Sequence, residues 1–227
     1  KQINGKRYVF VDSNKTGIVW RNVIAFIIAF RSMFVKLMLL PCKAFFYGLL
    51  SGIGIVCGCH RLWAHRSYKA TLLLRIFYML CQTAAGQNDI YIWSRDHRLH
   101  HKFSDTDADP HNSKRGMFFC HMGWLLTRKH PDVMVKGATL DCSDLLDDSV
   151  VKFQRRFFLP LASVFTIYLP TVICHSMCDI SWFDALTIAG IGRYVIFLHI
   201  TWFVNSAAHL FGDRPYNEKI SPRENDQ

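Results

Sequence analysis

The sequence predicts an all-α integral membrane protein with four transmembrane helices and a cytosolic, histidine-rich helical cap. Hydrophobic residues make up 51% of the 227 residues and include 18 Phe and 6 Trp, a composition that is rich for a soluble protein. The apolar residues gather in four long runs, approximately residues 20–40, 44–59, 157–174 and 186–204. Histidines lie where several of these runs stop, which indicates a site at a membrane face.

The first two runs form a predicted helical hairpin, because only the short turn Pro41-Cys42-Lys43 separates them. Arg31 and Lys36 interrupt the first run. It is therefore a weak span by itself, since a charge near the bilayer centre is costly. The second run carries no charge, but its 16 residues are fewer than the roughly 20 that a straight span requires.

The last two runs form a second predicted hairpin around the loop HSMCDISWFD. Between the hairpins, residues 72–86 are apolar but carry Arg75 and Gln82 and make only about four helical turns, which predicts an interfacial or buried helix. Further along, Ser143 followed by Asp144 and two more aspartates is typical of a capped helix start. No chemistry is needed to explain that acidic cluster.

Four spans with two short far-side loops place both termini and the cap, residues 60–156 and 205–227, on one face of the membrane. Basic residues flank the spans on that face, which favours the cytosol. They are Lys15, Arg21, Arg61, Arg66, Arg155, Arg156 and Arg214. The sequon at Asn14 is accordingly expected to carry no glycan. No cleavable signal peptide is visible, and we interpret residues 1–227 as a single membrane domain that is incomplete at both ends.

The net charge of +10 is spread over loops and the ends of the apolar runs. The basic helix or aromatic platform of a nucleic-acid-binding protein is not visible, which argues against a nucleic-acid partner. We interpret the charge as attraction to the membrane surface and to an anionic substrate. The eight cysteines form no C-x-x-C pair and mostly lie inside apolar runs, which favours small buried hydrophobic residues over disulfides.

Three histidines in the run DHRLHH have a metal-binding spacing. His97, His100 and His101 stand at i, i+3 and i+4, so that on a helix they project from one face within a turn. Upstream, His60 and His65 are about 140° apart on an ideal helix and can face one site only if the helix ends or unwinds between them.

Downstream, Asn205 stands four residues before His209, on the same helical face. It can act as a weak ligand or hold a bound water. His175 and His199 are interpreted instead as hydrogen-bonded structural residues.

Neutral imidazoles suit zinc, copper, iron and nickel, and six are too many for one catalytic zinc, which makes two metal ions the natural count. The aspartates Asp105, Asp107 and Asp109 do not form a calcium loop, because its sixth position is Pro110 and its twelfth is Gly116. They can orient metal-bound imidazoles or be plain solvated loop acids, and the sequence leaves both interpretations open.

Basic residues frame the histidine region and can either hold a phosphorylated headgroup or anchor the membrane surface. They are Arg95, Arg128 and Lys129, with Lys114 and Arg115.

Four segments, HRLWAHRSYKA, NDIYIWSRDHRLHHKFSDTDADPHNSKRG, HMGWLLTRKHPDV and NSAAHLFGDRPYN, together resemble the membrane acyl-CoA desaturases. The likeness is to the stearoyl-CoA desaturase group, and most of all to its insect members. It implies an enzyme of the endoplasmic reticulum membrane with a cytosol-facing site for two Fe²⁺ ions. Such an enzyme is fed by oxygen, cytochrome b5 and its reductase, and it introduces a double bond, here of the delta-9 type, into a fatty acyl-CoA.

The resemblance also implies roles for individual residues. The positions that match the family's metal ligands are His60, His65, His97, His100, His101, Asn205 and His209, with Asn205 acting through water. The positions that match substrate contacts are Asn22, Asn88, Arg95, Asp96, Arg128, Lys129 and Trp202.

The family also has a third histidine box, H-x-x-H-H, beyond the R-E-N motif, and the sequence stops at Gln227 before it. We therefore expect the chain as given to retain metal weakly and to show little turnover. Two alternatives remain open: a related membrane hydroxylase or conjugase, and a non-catalytic truncated partner of active desaturases.

Overall fold

The computed structural model describes residues 2–3, 6–7, 20, 23–24, 42–178, 180–215 and 222–224. The first predicted span, residues 20–40, and with it the first hairpin, therefore lies outside the described residues except for Trp20, Val23 and Ile24. Asn22, a predicted substrate contact, lies outside them as well.

Regular structure in the described part is helical, apart from one short antiparallel pair. The strands β1 (Gln2–Ile3) and β2 (Lys6–Arg7) pair with Gln2 opposite Arg7. The α-helices are α1 (Cys42–Ile53), α2 (Leu72–Ala85), α3 (Ile90–Phe103), α4 (Trp124–Leu126), α5 (Pro131–Gly137), α6 (Ser143–Asp147), α7 (Ser149–Arg156), α8 (Phe158–Ala162), α9 (Leu169–Cys178), α10 (Trp182–Ala185) and α11 (Arg193–Leu210).

Wider turns of the π type, in which residue i+5 bonds to residue i, extend or join several of these helices. Gly54–Ala64 continues α1, Phe119–Gly123 precedes α4, Ser163–Tyr168 joins α8 to α9, and Leu186–Gly192 joins α10 to α11. A single 3₁₀ turn, Ser113–Arg115, lies between α3 and α4.

Three helical stretches are long and apolar enough to cross a bilayer, which indicates a membrane protein. They are Ala44–Ala64 (21 residues), Phe158–Met177 (20 residues) and Trp182–Leu210 (29 residues). They coincide with three of the four predicted runs. The run predicted at 44–59 is longer than its uncharged part because the helix continues through Arg61 to Ala64, and its length is then sufficient.

The fold divides into two compact units. Unit 1 comprises Lys1–Val23, Leu99–Leu140 and Phe203–Gln227, and unit 2 comprises Ile24–Arg98 and Asp141–Trp202. The prediction of one membrane domain stays a prediction.

The predicted short helix is α2, and its 14 residues are too few to span a bilayer. It begins where the Thr71 hydroxyl accepts the Leu74 N–H and ends at Gly86, whose φ of 64° favours glycine. Leu73 is 78% exposed, whereas Gln82 is fully buried. An apolar outer face beside a buried polar residue agrees with an interfacial or buried helix.

Buried polar side chains tie the ends of helices together in unit 2. Gln154 of α7 donates to Gln82 Oε1 and to Thr83 Oγ1, and its own Oε1 accepts the Ile90 N–H at the start of α3 (2.9 Å). Because a buried amide left unpaired is costly, these bonds specify how α2, α3 and α7 meet.

Arg193 is fully buried in unit 2 and binds three backbone carbonyls. It donates to Ala189 O (3.0 Å), Ala84 O (3.3 Å) and Thr166 O (2.6 Å). The ring of Tyr47 lies 5.1 Å from its guanidinium. The planar fork thus satisfies carbonyls on three separate helical stretches, which Lys, with its single ammonium, cannot reproduce.

The acidic cluster does not cap α6 in the predicted way. Ser143 is the first residue of α6, after Cys142, which makes no side-chain cap. Asp148 instead caps the following helix, α7, by accepting the N–H groups of Val150 and Val151. The predicted carboxylate in the first turn is present, since Asp144 lies there, and it also binds Arg66 and Arg98.

The six cysteines that the structure describes with their side chains are free thiols, as predicted. Five are buried: Cys59, Cys81, Cys120, Cys142 and Cys174.

We expect Gly54→Ala to destabilise the fold severely, because a Cβ at this position would overlap the backbone of Cys81 and Gln82. Overpacking typically costs about 1–3 kcal/mol, and a backbone neighbour cannot swing away. Gly52→Ala is the matched control, since its Cβ would meet only Phe197 at 3.9 Å. Thermal unfolding in detergent measures both variants, and equal midpoints would contradict the close helix crossing.

Arg193→Lys is expected to lower the free energy of unfolding by roughly 2 kcal/mol, since hydrogen bonds from a charged donor each contribute about 1.5–3 kcal/mol and not all can be kept. Arg156→Lys, at an exposed arginine, is expected to change it little. Denaturation of the two variants side by side in the same detergent checks this. An unchanged Arg193→Lys midpoint would show that the carbonyl contacts contribute little.

Candidate metal centre

Three histidines meet in unit 2. The ring centroids lie 4.5 Å apart for His60 and His65, 4.7 Å for His60 and His97, and 5.1 Å for His65 and His97. The Nε2 atoms of His65 and His97 are 3.0 Å apart. Imidazole nitrogens that converge at this range are the ligands that divalent transition metals prefer. The trio His60, His65 and His97 is called the first histidine group below.

His60 and His65 meet because of the wide turns between them. The His65 N–H donates to His60 O at 2.9 Å, five residues back, in place of the α-helical bond to the residue four back. Residues five apart then lie one above the other, and the angle expected on an α-helix no longer separates them. The helix ends at Ala64. The helix thus departs from ideal α geometry as expected, because its turns widen before His60 and it ends between His60 and His65.

A left-handed residue turns the chain directly after His65. Arg66 has a φ of 53°, which costs a residue other than glycine about 1–3 kcal/mol and persists only where the surroundings enforce it. Its guanidinium donates to both carboxylate oxygens of Asp144, at 3.0 and 2.6 Å. The residue next to His97, Arg98, donates to the same carboxylate at 2.9 and 2.7 Å.

Burial acts to raise the pKa of Asp144, but hydrogen bonds from Arg98 and Arg66 outweigh it and hold the pKa below its ordinary value. Asp144 is thus a carboxylate at neutral pH, shared by two arginines that each follow a histidine of the first group.

A second group lies in unit 1. The ring of His100 lies 5.2 Å from that of His209 and 5.7 Å from that of His111. The His100 Nδ1 is 2.8 Å from Asp109 Oδ1. The residues His100, Asp109, His111 and His209 are called the second histidine group. Because Asp109 occupies Nδ1, Nε2 is the nitrogen through which His100 would coordinate a metal.

Asp109 is built to orient an imidazole. It is 3% exposed, and its carboxylate also accepts the N–H groups of Asp105 and His111. Burial acts to raise the pKa of Asp109. The hydrogen bonds from His100 and from the two amides lower it by more, so the pKa lies below its ordinary value. The carboxylate is therefore ionised.

The structure separates the two interpretations of the acidic loop. Asp109 takes the orienting position, whereas Asp107 is exposed to solvent, and Asp105 accepts the Ser113 hydroxyl. The sequence alone offered no way to choose among three aspartates at alternate positions.

The three-histidine run lies on α3 as predicted. His97 joins the first group and His100 joins the second. His101 follows His97 by one turn of the same helix, and its ring lies 5.6 Å from that of His100. The spacing i, i+3, i+4 placed the residues correctly on a helix and left open which partners each would meet.

The downstream pair lies near the end of α11. Asn205 and His209 are one helical turn apart, and His209 is 7% exposed. Between them, Ser206 lies 2.9 Å from Nδ1 of His121, a histidine whose ring also packs at 4.8 Å from that of Phe203.

Sequence reasoning missed His111 and His121. No helical repeat relates either to the DHRLHH run. The one available signal was the concentration of histidines between Asp96 and His130.

The predicted substrate residues that the structure describes lie in both units. Arg95 donates to Asp96 at 3.0 and 2.6 Å, and its guanidinium lies 5.9 Å from the ring of Tyr91. Asn88 is exposed with a φ of 67°. Trp202 is buried beside His199, with ring centroids 5.1 Å apart. In unit 1, the pair Arg128-Lys129 is exposed.

His175 agrees with its predicted structural role. Its Nδ1 lies 2.6 Å from Ile180 O, to which it must donate, and its ring stacks on Trp182 at 4.0 Å.

The sequence of the chain is similar to known proteins over nearly all its length. The fatty acid desaturase family model matches residues 13–225. An acyl-CoA desaturase of Ovis aries is 50% identical over 218 residues, 93% of this chain and 61% of the relative. A stearoyl-CoA desaturase of Homo sapiens is 50% identical over 220 residues, which are 94% of this chain and 61% of the relative. An acyl-CoA Delta-9 desaturase of Acheta domesticus is 49% identical over 219 residues, which are 92% of this chain and 60% of the relative. The chain thus spans about three fifths of the length of these relatives.

We expect Asp109→Asn to weaken metal binding by about 10- to 100-fold, because loss of the carboxylate partner frees the tautomer and ring orientation of His100. Titration of the purified, metal-free protein with Zn²⁺ in competition with a chromophoric chelator gives the dissociation constant. Asp147→Asn, at an exposed aspartate of α6, is the control and should bind as the parent does. Equal dissociation constants for the two variants would remove Asp109 from this role.

Proposed function

The chain belongs to the fatty acid desaturase family, and from this we propose that the protein is an acyl-CoA desaturase. The proposed reaction introduces a double bond, of the delta-9 type, into a saturated fatty acyl-CoA, with oxygen and with electrons from cytochrome b5 and its reductase. The chain corresponds to about three fifths of its relatives, so the proposal concerns the activity of the whole protein.

One observation carries the proposal: a set of imidazoles converges where an apolar helix ends. His60 lies in the last turns of the membrane-span candidate Ala44–Ala64, and His65 directly follows it. A metal held there would face the aqueous boundary while remaining next to the hydrocarbon region, where a fatty acyl chain is soluble.

We propose that two Fe²⁺ ions are bound. The donor set fits, because neutral imidazoles suit iron and Asp109 prepares one of them for coordination. His60, His65 and His97 of unit 2 would contribute to one ion, and His101 is assigned as a ligand by resemblance alone. His100 and His209 would hold the other, with Asn205 contributing through water.

When bound, iron supplies the oxidising power that removes one hydrogen from each of two adjacent methylenes. The two hydrogens, together with two electrons and two protons from outside, reduce O₂ to two water molecules. The task of the chain's own residues is positioning. Asp109 fixes His100, and the packing around Trp202 excludes water from the acyl chain.

The charged part of the substrate needs partners outside the hydrocarbon. Arg95, oriented by Asp96, can donate to phosphates of the coenzyme A headgroup, as can Asn88, Arg128 and Lys129. Asn22 is assigned here by resemblance alone.

We further propose that the protein lies in the endoplasmic reticulum membrane with its termini and the metal ligands in the cytosol. Basic residues at the ends of the spans support this orientation.

The direct test is reconstitution of the chain, extended by the third histidine box of the family, with ferrous iron, stearoyl-CoA, oxygen and reduced cytochrome b5, followed by gas chromatography of the released fatty acids. We expect a monounsaturated product, and His97→Ala should lower its formation by at least 100-fold because a metal ligand is lost. His130→Asn, which alters the N-cap residue of α5 outside both histidine groups, is the control.

A hydroxylated or conjugated product would favour the related hydroxylase or conjugase instead. Full activity in His97→Ala would exclude the first histidine group from the reaction. If neither product forms but the chain lowers the activity of a co-expressed relative, the non-catalytic partner is supported.

A further inference from the structure

We propose that Asp144 is a positioning residue for the metal centre, one that sets the relative placement of His65 and His97 without touching either imidazole. The inference rests on the proposed function, because it concerns how the metal-binding geometry of the first histidine group is held before any metal binds.

The first step is the connection that the carboxylate makes. Arg66 follows His65 on the segment after the helix, and Arg98 follows His97 on α3. Asp144 accepts two hydrogen bonds from each guanidinium. One carboxylate therefore joins the two chain segments at the residues next to the two histidines whose Nε2 atoms lie 3.0 Å apart.

The second step concerns the rigidity of that connection. Besides the carboxylate, Arg98 donates to Trp63 O at 2.6 Å and to Ala64 O at 3.2 Å. These carbonyls belong to the last turn of the helix, where no further amide in the helix can satisfy them. The planar guanidinium thus fixes α3 to the end of the helix that carries His60, and Asp144 fixes the guanidinium.

The third step is the backbone at Arg66. Its positive φ is unfavourable for a residue other than glycine, so the turn directly after His65 needs an external hold. The ion pair with Asp144 provides it. Glycine would adopt this positive φ without strain.

A neighbouring carboxylate reinforces the same corner. Asp148 accepts the Trp63 Nε1–H at 3.2 Å and pairs with Arg75 at 2.9 Å. Asp144 on α6 and Asp148 directly after it therefore hold the histidine-bearing helix end at two points, and Asp144 is the point that also reaches α3.

The test is Co²⁺ titration of the metal-free 227-residue protein in detergent, following the ligand-field absorption bands, for the parent, Asp144→Asn, Asp144→Glu and Asp147→Asn. Asp147 lies on the same helix, exposed, and forms no ion pair among the described residues. We expect Asp144→Asn to weaken Co²⁺ binding by at least tenfold and to shift the bands. Asp144→Glu should recover part of both, and Asp147→Asn should match the parent.

Thermal unfolding of the metal-free variants separates positioning from bulk stability. A lower midpoint for Asp144→Asn with an unchanged Co²⁺ dissociation constant and spectrum would overturn the proposal. Should Asp144→Asn fail to fold, Arg66→Gln removes one arm of the connection at a half-exposed side chain and should weaken binding by a smaller factor. Unchanged binding there overturns it equally.

The outcomes also distinguish this inference from the function on which it rests. A parent protein that binds no Co²⁺ removes the proposed metal centre and the role of Asp144 with it. A parent that binds Co²⁺ beside an Asp144→Asn variant that binds equally well leaves the metal centre standing and removes only the role of Asp144.

Discussion

The requirement that every buried carbonyl be satisfied governs how this protein is assembled. Where apolar helices end or change their winding, carbonyl oxygens lose their amide partners, and water is not available inside the apolar part of the fold. Arginine supplies the missing donors. Arg193 binds Ala84 and Thr166 in one place, and Arg98 binds Trp63 and Ala64 in another. Each guanidinium joins helices that sequence order leaves far apart.

The histidines depend on these junctions. α2 ends beside Arg193, and α3 begins at Ile90, whose N–H is held by Gln154. The direction of α3 is therefore set by a buried polar network before the chain reaches His97. A change at Gln154 or Arg193, both far from His97 in sequence, would displace the candidate metal ligands by moving the helix on which they lie.

Sequence reasoning predicted what local periodicity can encode. The apolar runs gave three membrane-span candidates, the charges within residues 72–86 identified a non-spanning helix, and the histidine spacing placed His97, His100 and His101 on one helix. It could not assign these histidines to separate groups, because each meets partners determined by tertiary packing. It also could not distinguish Asp109 from Asp107, since burial alone separates them. Asp144 was interpreted as part of a helix cap, because its arginines stand 46 and 78 residues away.

The wide turns that bring His60 and His65 together also affect length. A helix wound with more residues per turn is broader and rises less per residue, because the distance between successive Cα atoms is fixed. Each of the three membrane-span candidates contains such a segment. Ala44–Ala64 would be about 31 Å long as a pure α-helix and is shorter as wound. Its hydrophobic length therefore suits a thinner bilayer than a pure α-helix of the same residues would. The winding that brings two imidazoles together thus also adjusts how the helix that carries His60 matches the thickness of a membrane.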